Sequence, residues 1–243
     1  MIAGLYDIFN HWHEQGTCWL ISDTHFNDQE LYAGTQHVIR ANSEDYIKLI
    51  NSKVGKNDTL IHLGDVGHLD AVRHLRGRKI LVMGNHDAGA SNYKRQFYEE
   101  IFDSDVYDRK QVIKIMKEKY PNCRIQVSDE PFYSFKAPFT FYAAAADNCL
   151  FDEVYTGPLF IGERLLLSHE PIHGIDSVMN IHGHVHDPKA KDNATHLNIC
   201  PDATGNFEPI NFNRLMKTGF MSRIEGLHRK TINRATERKK GKK

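Results

Sequence analysis

The chain has 243 residues, of which 40% are hydrophobic and 26% are charged. This is the composition of an ordinary globular protein, and the length allows one large domain or a domain with an insertion. No apolar run approaches the ~20 residues that a membrane-spanning helix needs, so we expect no membrane association.

The formal net charge is zero, but residues 223–243 carry +7 and the remainder carries −7. We predict that this basic end is a flexible, solvated tail, with contact to nucleic acid or another polyanion as the alternative. Residues 1–16 contain acidic and histidine side chains and do not form an export signal. We therefore expect a cytoplasmic location and free thiols at the four widely spaced cysteines, which are Cys18, Cys123, Cys149 and Cys200.

Hydrophobic patterning predicts two helices and two strands in the first quarter of the chain. A short helix is predicted at 5–14, followed by a buried strand at 17–21. A helix at about 43–54 starts at a cap residue, Asn42 or Ser43, and a second apolar strand follows at 59–63. The strands end in polar residues that could be metal ligands: Asp23 and His25 after the first, and Asp65 after the second.

The next segment repeats this order and then becomes harder to interpret. A helix at 69–76 precedes a third strand at 79–83. Residues 91–120 have the spacing of a helix, because Tyr93, Phe97 and Ile101 recur at every fourth position. Residues 122–148 are either irregular strands over a site or a surface subdomain. The third strand ends at another polar run, which contains Asn85, His86 and Asp87.

The last third of the chain is rich in short strands. Strands at 151–155 and 158–161 precede a hairpin turn, and the returning strand at 164–167 ends at His169. A strand at about 178–181 leads into a stretch in which three histidines alternate with other residues. These histidines are His182, His184 and His186, and a last alternating strand follows at 196–200.

The strand ends together offer a mixed set of nitrogen and oxygen ligands. Because α/β folds place their sites at the carboxyl ends of strands, we expect these side chains to meet. Such a set suits borderline transition metals better than calcium or thiophilic metals, and it exceeds what one tetrahedral ion uses. Two ions that share a carboxylate would use all seven candidates, which are Asp23, His25, Asp65, Asn85, His169, His184 and His186.

These motifs stand in the order found in the calcineurin-like metallophosphoesterases, and the chain resembles small bacterial and phage-type members of that family. The motifs are Asp23-x-His25, Gly64-Asp65, Gly84-Asn85-His86-Asp87, His169 and Gly183-His184-x-His186. The resemblance covers roughly residues 17–102 and 151–200. It implies an α/β fold, a four-layer αββα sandwich in which two mixed β-sheets are flanked by helices.

The resemblance also implies the division of the ligands between two divalent or transition metal ions. Asp23, His25, Asp65 and His186 would hold one ion. The other would be held by Asp65, Asn85, His169 and His184, with Asp65 shared. Manganese is the first expectation for the metal, and iron, zinc, cobalt, nickel and magnesium are alternatives. His182 is not in the ligand set and is expected beside the site or in the core.

The implied reaction is hydrolysis of a phosphomonoester or phosphodiester by a metal-bridging hydroxide, with a nucleotide as one candidate substrate. Two divalent ions and two carboxylates leave a net charge of +2, which attracts phosphate and lowers the pKa of bound water. His86 would stabilise the transition state or protonate the leaving oxygen, with Asp87 orienting it or instead capping the turn. Asn85, His86 and Arg40 are candidate substrate contacts, Arg40 on the chemistry of guanidinium alone.

The resemblance leaves alternatives open. We expect a single metallophosphoesterase domain at 1–222, with an insertion at about 103–150, and a basic tail at 223–243. A nuclease that uses the tail to hold DNA or RNA is one alternative function, and a non-catalytic metal-dependent scaffold is another. Relatives often have Gly-His where this chain has Asn27-Asp28, so the substrate is not specified, and neither is the oligomeric state.

Overall fold

The fold is described from a computed structural model, for residues 7–28, 42–87, 93, 97–121, 123–147, 150–162, 164–174, 178–189 and 193–222. Arg40 and the basic tail lie outside these residues. The chain divides into two compact units, Met1–Asn92 with Phe151–Lys243, and Tyr93–Leu150. Every helix in the described ranges is too short or too polar to cross a membrane.

The strands of the described residues are, in chain order, β1 (Asp7–Ile8), β2 (Cys18–Ile21), β3 (Thr59–His62), β4 (Arg78–Val82), β5 (Phe97–Asp103), β6 (Cys123–Ser128), β7 (Thr140–Asp147), β8 (Glu153–Tyr155), β9 (Leu159–Ile161), β10 (Leu165–Leu167), β11 (Met179–His182), β12 (His196–Asn198) and β13 (Ile210–Asn211). The helices are α1 (Ser43–Lys53), α2 (Leu69–Val72), α3 (Arg109–Lys119), α4 (Pro201–Thr204) and α5 (Phe212–Lys217).

The first unit contains two five-stranded sheets. One has the order β13-β2-β3-β4-β8, and β2, β3, β4 and β8 run parallel to one another. The other has the order β1-β9-β10-β11-β12, in which β10, β11 and β12 are parallel and β9 is antiparallel to β10. In each sheet the parallel strands therefore end at a common edge, where their connecting loops meet.

One hydrophobic core joins the two sheets. Leu20, Ile61 and Val82 of the first sheet are buried together with Leu165 and Ile181 of the second. The two sheets pack face to face, because this arrangement removes the apolar surface of both from water. The predicted mixed α/β class is confirmed, and the flanking helical layers of the four-layer sandwich stay a prediction.

The prediction of a helix at 5–14 is wrong for residues 7–14, the part that the structure describes. Asp7 and Ile8 form β1, which pairs with Leu159 and Phe160 of β9. The next residue, Phe9, is fully buried in the core and continues this pairing through its backbone N–H. A partner strand and core contact thus outweigh the local pattern.

The helix predicted at about 43–54 is confirmed as α1. The side chain of Asn42 accepts hydrogen bonds from the N–H groups of Glu44 and Asp45, so it caps the first turn. Tyr46 and Ile50 bury the inner face. The helix predicted at 69–76 is shorter than expected, because α2 ends at Val72 and turns follow.

The second unit is a three-stranded antiparallel sheet with the order β5-β7-β6, and α3 packs on one face. The predicted helix at 91–120 is wrong for its first part, because β5 is a strand. A spacing of four residues fits a helical turn and also the alternation of a strand, and the seven-residue pairing with β7 decides for the strand. Residue 103, where the sequence suggests that an insertion starts, is the last residue of β5.

Asp58 ties the start of β2 to the turn before β3. Its carboxylate accepts hydrogen bonds from the N–H groups of Thr17 and Gly55, both 2.8 Å long, and from the Trp19 indole at 3.1 Å. Partial burial acts to raise the pKa of Asp58, but these hydrogen bonds outweigh it and lower the pKa below its ordinary value. The carboxylate therefore stabilises the fold fully at pH values above the pKa that Asp58 has in the unfolded chain. This contribution is lost as the pH falls from that value through the lower pKa of Asp58 in the folded chain.

Asp58→Ala is expected to lower the free energy of unfolding by about 2 kcal/mol at neutral pH, because it removes the acceptor of three donors. The difference from the wild type should shrink as the pH falls through the acid range, where the wild-type carboxylate is also protonated. Urea denaturation at several pH values measures both effects. Asp70→Ala is the control, because that side chain is 73% exposed. Equal losses in the two variants would contradict this role.

Candidate metal centre

The first sheet places five predicted site residues on adjacent loops. Asp23 and His25 follow β2, Asp65 follows β3, and Asn85 and His86 follow β4. Since these strands are parallel neighbours, the loops lie side by side at one edge. The N–H groups of Asp23 and His25 donate to the carbonyls of Gly64 and Asp65, each at 3.0 Å, which fixes the first two loops together.

The second sheet contributes the remaining imidazoles. His169 follows β10, and His184 and His186 follow β11, its parallel neighbour. The His184 N–H donates to both carboxylate oxygens of Asp23, at 3.0 and 3.1 Å, so the second sheet's loop is held directly on the first sheet's loop. All seven predicted ligands thus lie at one place between the sheets.

Their side chains form two groups that share Asp65. Asp23, His25, Asp65 and His186 form the first group, and Asp65, His169 and His184 form the second. The Asp65 Oδ2 atom lies 3.6 Å from His25 Nε2 and 3.2 Å from His169 Nε2. This carboxylate therefore faces both groups.

Asn85 joins the second group through its amide oxygen. That oxygen lies 3.0 Å from His169 Nε2 and 3.1 Å from His184 Nδ1. In the first group, His186 Nε2 lies 3.4 Å from Asp23 Oδ1. Ligands that share one ion at ~2.1 Å are roughly 3 to 3.5 Å apart, so the spacing of these donor atoms is compatible with a bound divalent metal ion.

The carboxylates of the site are held in their charged form. Burial acts to raise the pKa of Asp65, but the hydrogen bond from His169 and the nearby imidazoles outweigh it and lower the pKa to about 2. The pKa of Asp23 is lowered in the same way, with His186 and Ser22 opposing the effect of burial. Both residues are therefore anionic throughout the physiological range.

The pKa values of two imidazoles, those of His169 and His186, change in the opposite direction. Burial acts to lower the pKa of His169, but Asp65 and Asp23 outweigh it and raise the pKa. Hydrogen bonds to Asp202 and Asp23 raise the pKa of His186 to about 12. A metal ion that binds these nitrogens must displace their protons, so binding is coupled to proton release.

Several candidate ligands adopt a left-handed backbone conformation that residues other than glycine rarely take. The φ angles of Asp23, His25, Asp65 and His184 are 49°, 40°, 56° and 66°. Left-handed conformations of this kind cost about 1–3 kcal/mol each for ordinary residues and persist only where the surrounding structure enforces them. Backbone strain is therefore concentrated in the loops that carry the candidate ligands.

Two glycines allow the loops to approach closely. A Cβ atom at Gly183 would overlap Ser22 Oγ and Asp23 Oδ2, and one at Gly84 would overlap the Asp65 carboxylate and backbone. The glycines of the Gly183-His184 and Gly84-Asn85 motifs are thus needed because neighbouring ligands occupy the space of a side chain.

Asp87 supports the backbone beneath Asp65. Its buried carboxylate accepts hydrogen bonds from the N–H groups of Asp65 and Gly84, both at 2.8 Å, and of Val66 at 3.0 Å. Among the hydrogen bonds of the described residues, none joins Asp87 to the His86 ring. The geometry therefore favours the alternative in which Asp87 fixes the turn.

His86 lies at the open side of the site. Its N–H donates to Asp65 Oδ1 at 3.0 Å, and its ring centre lies 5.7 Å from that of His25. The side chain is exposed, whereas Asp23, His25 and Asp65 are almost fully buried. The exposed His86 ring therefore lies beside the buried candidate ligands.

His62 is a buried residue whose ring is hydrogen-bonded to two neighbouring loops. Its Nδ1 accepts the Gly64 N–H at 3.1 Å, and its Nε2 lies 2.8 Å from the Thr24 hydroxyl, which donates to the Val66 carbonyl. Burial lowers the pKa of His62 to about 4, against the opposing effect of nearby carboxylates. The neutral ring links the loops after β2 and β3. His182 is likewise buried and hydrogen-bonded to the Gly183 carbonyl.

Asp202 is a residue of the site that sequence reasoning missed. Its Oδ2 accepts a hydrogen bond from His186 Nδ1, while the other nitrogen of that ring faces Asp23. Asp202 lies in α4, 16 residues after His186, and no motif marks it. His186, Cys200 and Asp202 form a further group of possible ligands, but it shares His186 with the first group.

Comparison with known proteins assigns the family. The family described as calcineurin-like phosphoesterase matches residues 16–188. The chain therefore belongs to the calcineurin-like phosphoesterases, and the family together with the ligand groups indicates that it binds divalent metal ions.

Two further comparisons do not identify a function. None of the curated proteins matches the chain. One similar solved structure is the crystal structure of AQ665 from Aquifex aeolicus, described as a protein of unknown function. It is 22% identical, with 82% of this chain and 97% of that chain covered and a TM-score of 0.44.

Proposed function

We propose that the protein hydrolyses phosphoester bonds with two divalent metal ions, one at each ligand group. The observation that carries this proposal is the position of the Asp65 carboxylate, which lies 3.6 Å from an imidazole of the first group and 3.2 Å from one of the second. A carboxylate that lies between two ligand groups can bind two neighbouring ions, which in two-metal sites are ~3.5–4 Å apart, and a site for a single ion does not need this arrangement.

The chain's own residues would hold the ions through nitrogen and oxygen atoms only. Asp23, His25, Asp65 and His186 would bind one, and Asp65, Asn85, His169 and His184 the other. When bound, the ions supply Lewis acidity, which polarises the phosphoryl oxygens and makes a water molecule acidic near neutral pH. Manganese suits this donor set, and iron, zinc, cobalt, nickel or magnesium would also fit it.

His86 acts on the leaving group. Hydrolysis breaks the bond between phosphorus and the ester oxygen, forms a new bond from phosphorus to the oxygen of water, and requires a proton on the departing oxygen. The exposed His86 ring at the mouth of the site can donate that proton or a hydrogen bond to the phosphoryl group. The hydrogen bond from the backbone N–H of His86 to the Asp65 carboxylate fixes the backbone from which the ring projects.

Asp202 would orient His186. A carboxylate accepts hydrogen bonds only, so His186 Nδ1 must carry the proton and Nε2 is left to bind the metal. Asp202→Ala is expected to weaken binding at the first ligand group by about 10- to 100-fold, which calorimetric titration with Mn²⁺ measures. Asp202→Asn should lose less metal affinity, because its amide oxygen can still accept a hydrogen bond from His186 Nδ1.

Asp187→Ala is the matched control for Asp202. This exposed carboxylate lies next to His186 in sequence but accepts a hydrogen bond from the Lys189 N–H. It should bind Mn²⁺ as the wild type does. Wild-type titration curves for Asp202→Ala would contradict the role of Asp202.

Activity against a set of esters tests the function itself. We expect release of phosphate or alcohol from at least one of the phosphomonoester, phosphodiester and cyclic phosphoester classes when Mn²⁺ is present, and no release after chelation.

The nuclease hypothesis depends on the tail from Arg223 onward and predicts salt-sensitive binding of nucleic acid that truncation removes. Failure to hydrolyse any class with any of the metals would favour a non-catalytic scaffold. The cytoplasmic location stays a prediction.

A further inference from the structure

A recess of about 310 Å³ opens beside the second ligand group. We call it the ligand-side recess. Its walls come from the last residue of β4 and the loop after it (82–85), residues 156–158 before β9, and residues 168–170 with Ile172 after β10. Asn85 and His169 belong both to these walls and to the second ligand group. A phosphoester whose phosphate lies at the ligands can therefore place its substituent in the recess.

The walls of the recess are apolar and uncharged for the most part. Met83, Pro158 and Ile172 are half-buried in them, and the exposed residues Thr156 and Glu170 provide polar groups. Among the described residues that line the recess, none is lysine or arginine. A second phosphate would meet the Glu170 carboxylate without a counter-ion, whereas a neutral ring would meet apolar surface.

A buried hydrogen-bond network fixes the wall that contains Ile172. The Asn180 side chain accepts from the Ile172 N–H at 2.8 Å and donates to Ser168 Oγ at 2.8 Å. The Ser168 hydroxyl donates to the Glu170 carbonyl at 2.6 Å, and His196 Nε2 lies 3.0 Å from the Ile172 carbonyl. The recess is therefore formed before a ligand arrives, as binding sites for small molecules usually are.

We propose that the ligand-side recess binds a neutral, ring-containing substituent of the phosphoester, so that the preferred substrate is a small ester with a single phosphate and not a polyanion. The volume is at the lower end of the range for small-molecule sites, about 300–1,000 Å³, and suits one or two rings. This inference rests on the proposed function, because it assumes that phosphate binds at the ligand groups.

Binding of two phosphonates, which cannot be hydrolysed, tests the recess separately from catalysis. Benzylphosphonate and methylphosphonate share the phosphonate group, and only the first has a ring. Titration of each into the Mn²⁺-loaded protein should show benzylphosphonate binding about tenfold more tightly, because burial of the ring adds apolar contact.

Filling the recess should remove this difference. Ile172→Trp, and Thr156→Trp at an exposed position that tolerates a large side chain, should weaken benzylphosphonate about tenfold and change methylphosphonate by less than about twofold. Val106→Trp is the control, because Val106 is 63% exposed and belongs to the other unit. It should leave both affinities unchanged.

The outcomes separate the two proposals. Equal affinities of the wild type for the two phosphonates, or equal losses for both in the Trp variants, would overturn the recess and leave the proposed function standing. Failure of both phosphonates to bind the Mn²⁺-loaded wild type would overturn the proposed function and the recess together.

Discussion

Asp65→Asn is expected to abolish binding of one metal ion per chain and to reduce kcat/KM by about 10³-fold or more. The asparagine side chain has the same shape, so the Cα position and the hydrogen bond from the His86 N–H can persist. It lacks the negative charge, however, and one of its two terminal atoms is a donor that would face His25 and His169. One substitution thereby affects both ligand groups.

Metal content after gel filtration, measured by mass spectrometry, is compared with activity in the same Asp65→Asn sample. Asp70→Asn is the control, since its side chain is exposed and pairs with Arg73. It should keep the wild-type metal content and rate. If Asp65→Asn retained both ions and near-wild-type activity, Asp65 would not be the shared ligand.

His86→Ala is expected to keep both ions and to lose about 10²- to 10⁴-fold in kcat. The ring is not in either ligand group, and Asp65 accepts its hydrogen bond from the backbone N–H, which alanine retains. The loss should be smallest for esters whose leaving group is already acidic, because these need no proton on departure.

The His86→Ala effect is read from initial rates with p-nitrophenyl phosphate and with an alkyl ester, together with metal content. His68→Ala is the control, because the His68 side chain is 61% exposed and lies on a neighbouring loop. An equal loss for both esters would remove the proton-donor role of His86 and leave transition-state stabilisation. An unchanged kcat would contradict any catalytic role.

The strand ends could be predicted because their signals are local. Apolar runs at 17–21, 59–63 and 79–83 are each followed by chemically distinctive residues, and parallel pairing brings such ends together. The i, i+2 spacing of His184 and His186 would place both rings on one face of an extended segment. The structure instead directs the two rings to different groups. The left-handed backbone at His184, with a φ angle of 66°, turns the chain between them, and no sequence pattern shows this.

Contacts between distant residues could not be predicted from local patterns. Asp202 contacts His186 only because α4 follows β12, the neighbour of β11 in the sheet. Asp87 could be expected to act on its neighbour His86, yet its carboxylate is surrounded by three N–H groups from the loops after β3 and β4. The strand at Phe97–Asp103 depends on β7, which lies about forty residues later in the sequence.

The most direct test of the two-ion site is the rate of phosphoester hydrolysis as Mn²⁺ is titrated into the metal-free chain, with bound metal measured at each point. The shared position of Asp65 predicts that the rate rises with bound metal and reaches its plateau at two ions per chain. A plateau at one ion per chain, or a rate that does not depend on bound metal, would contradict it.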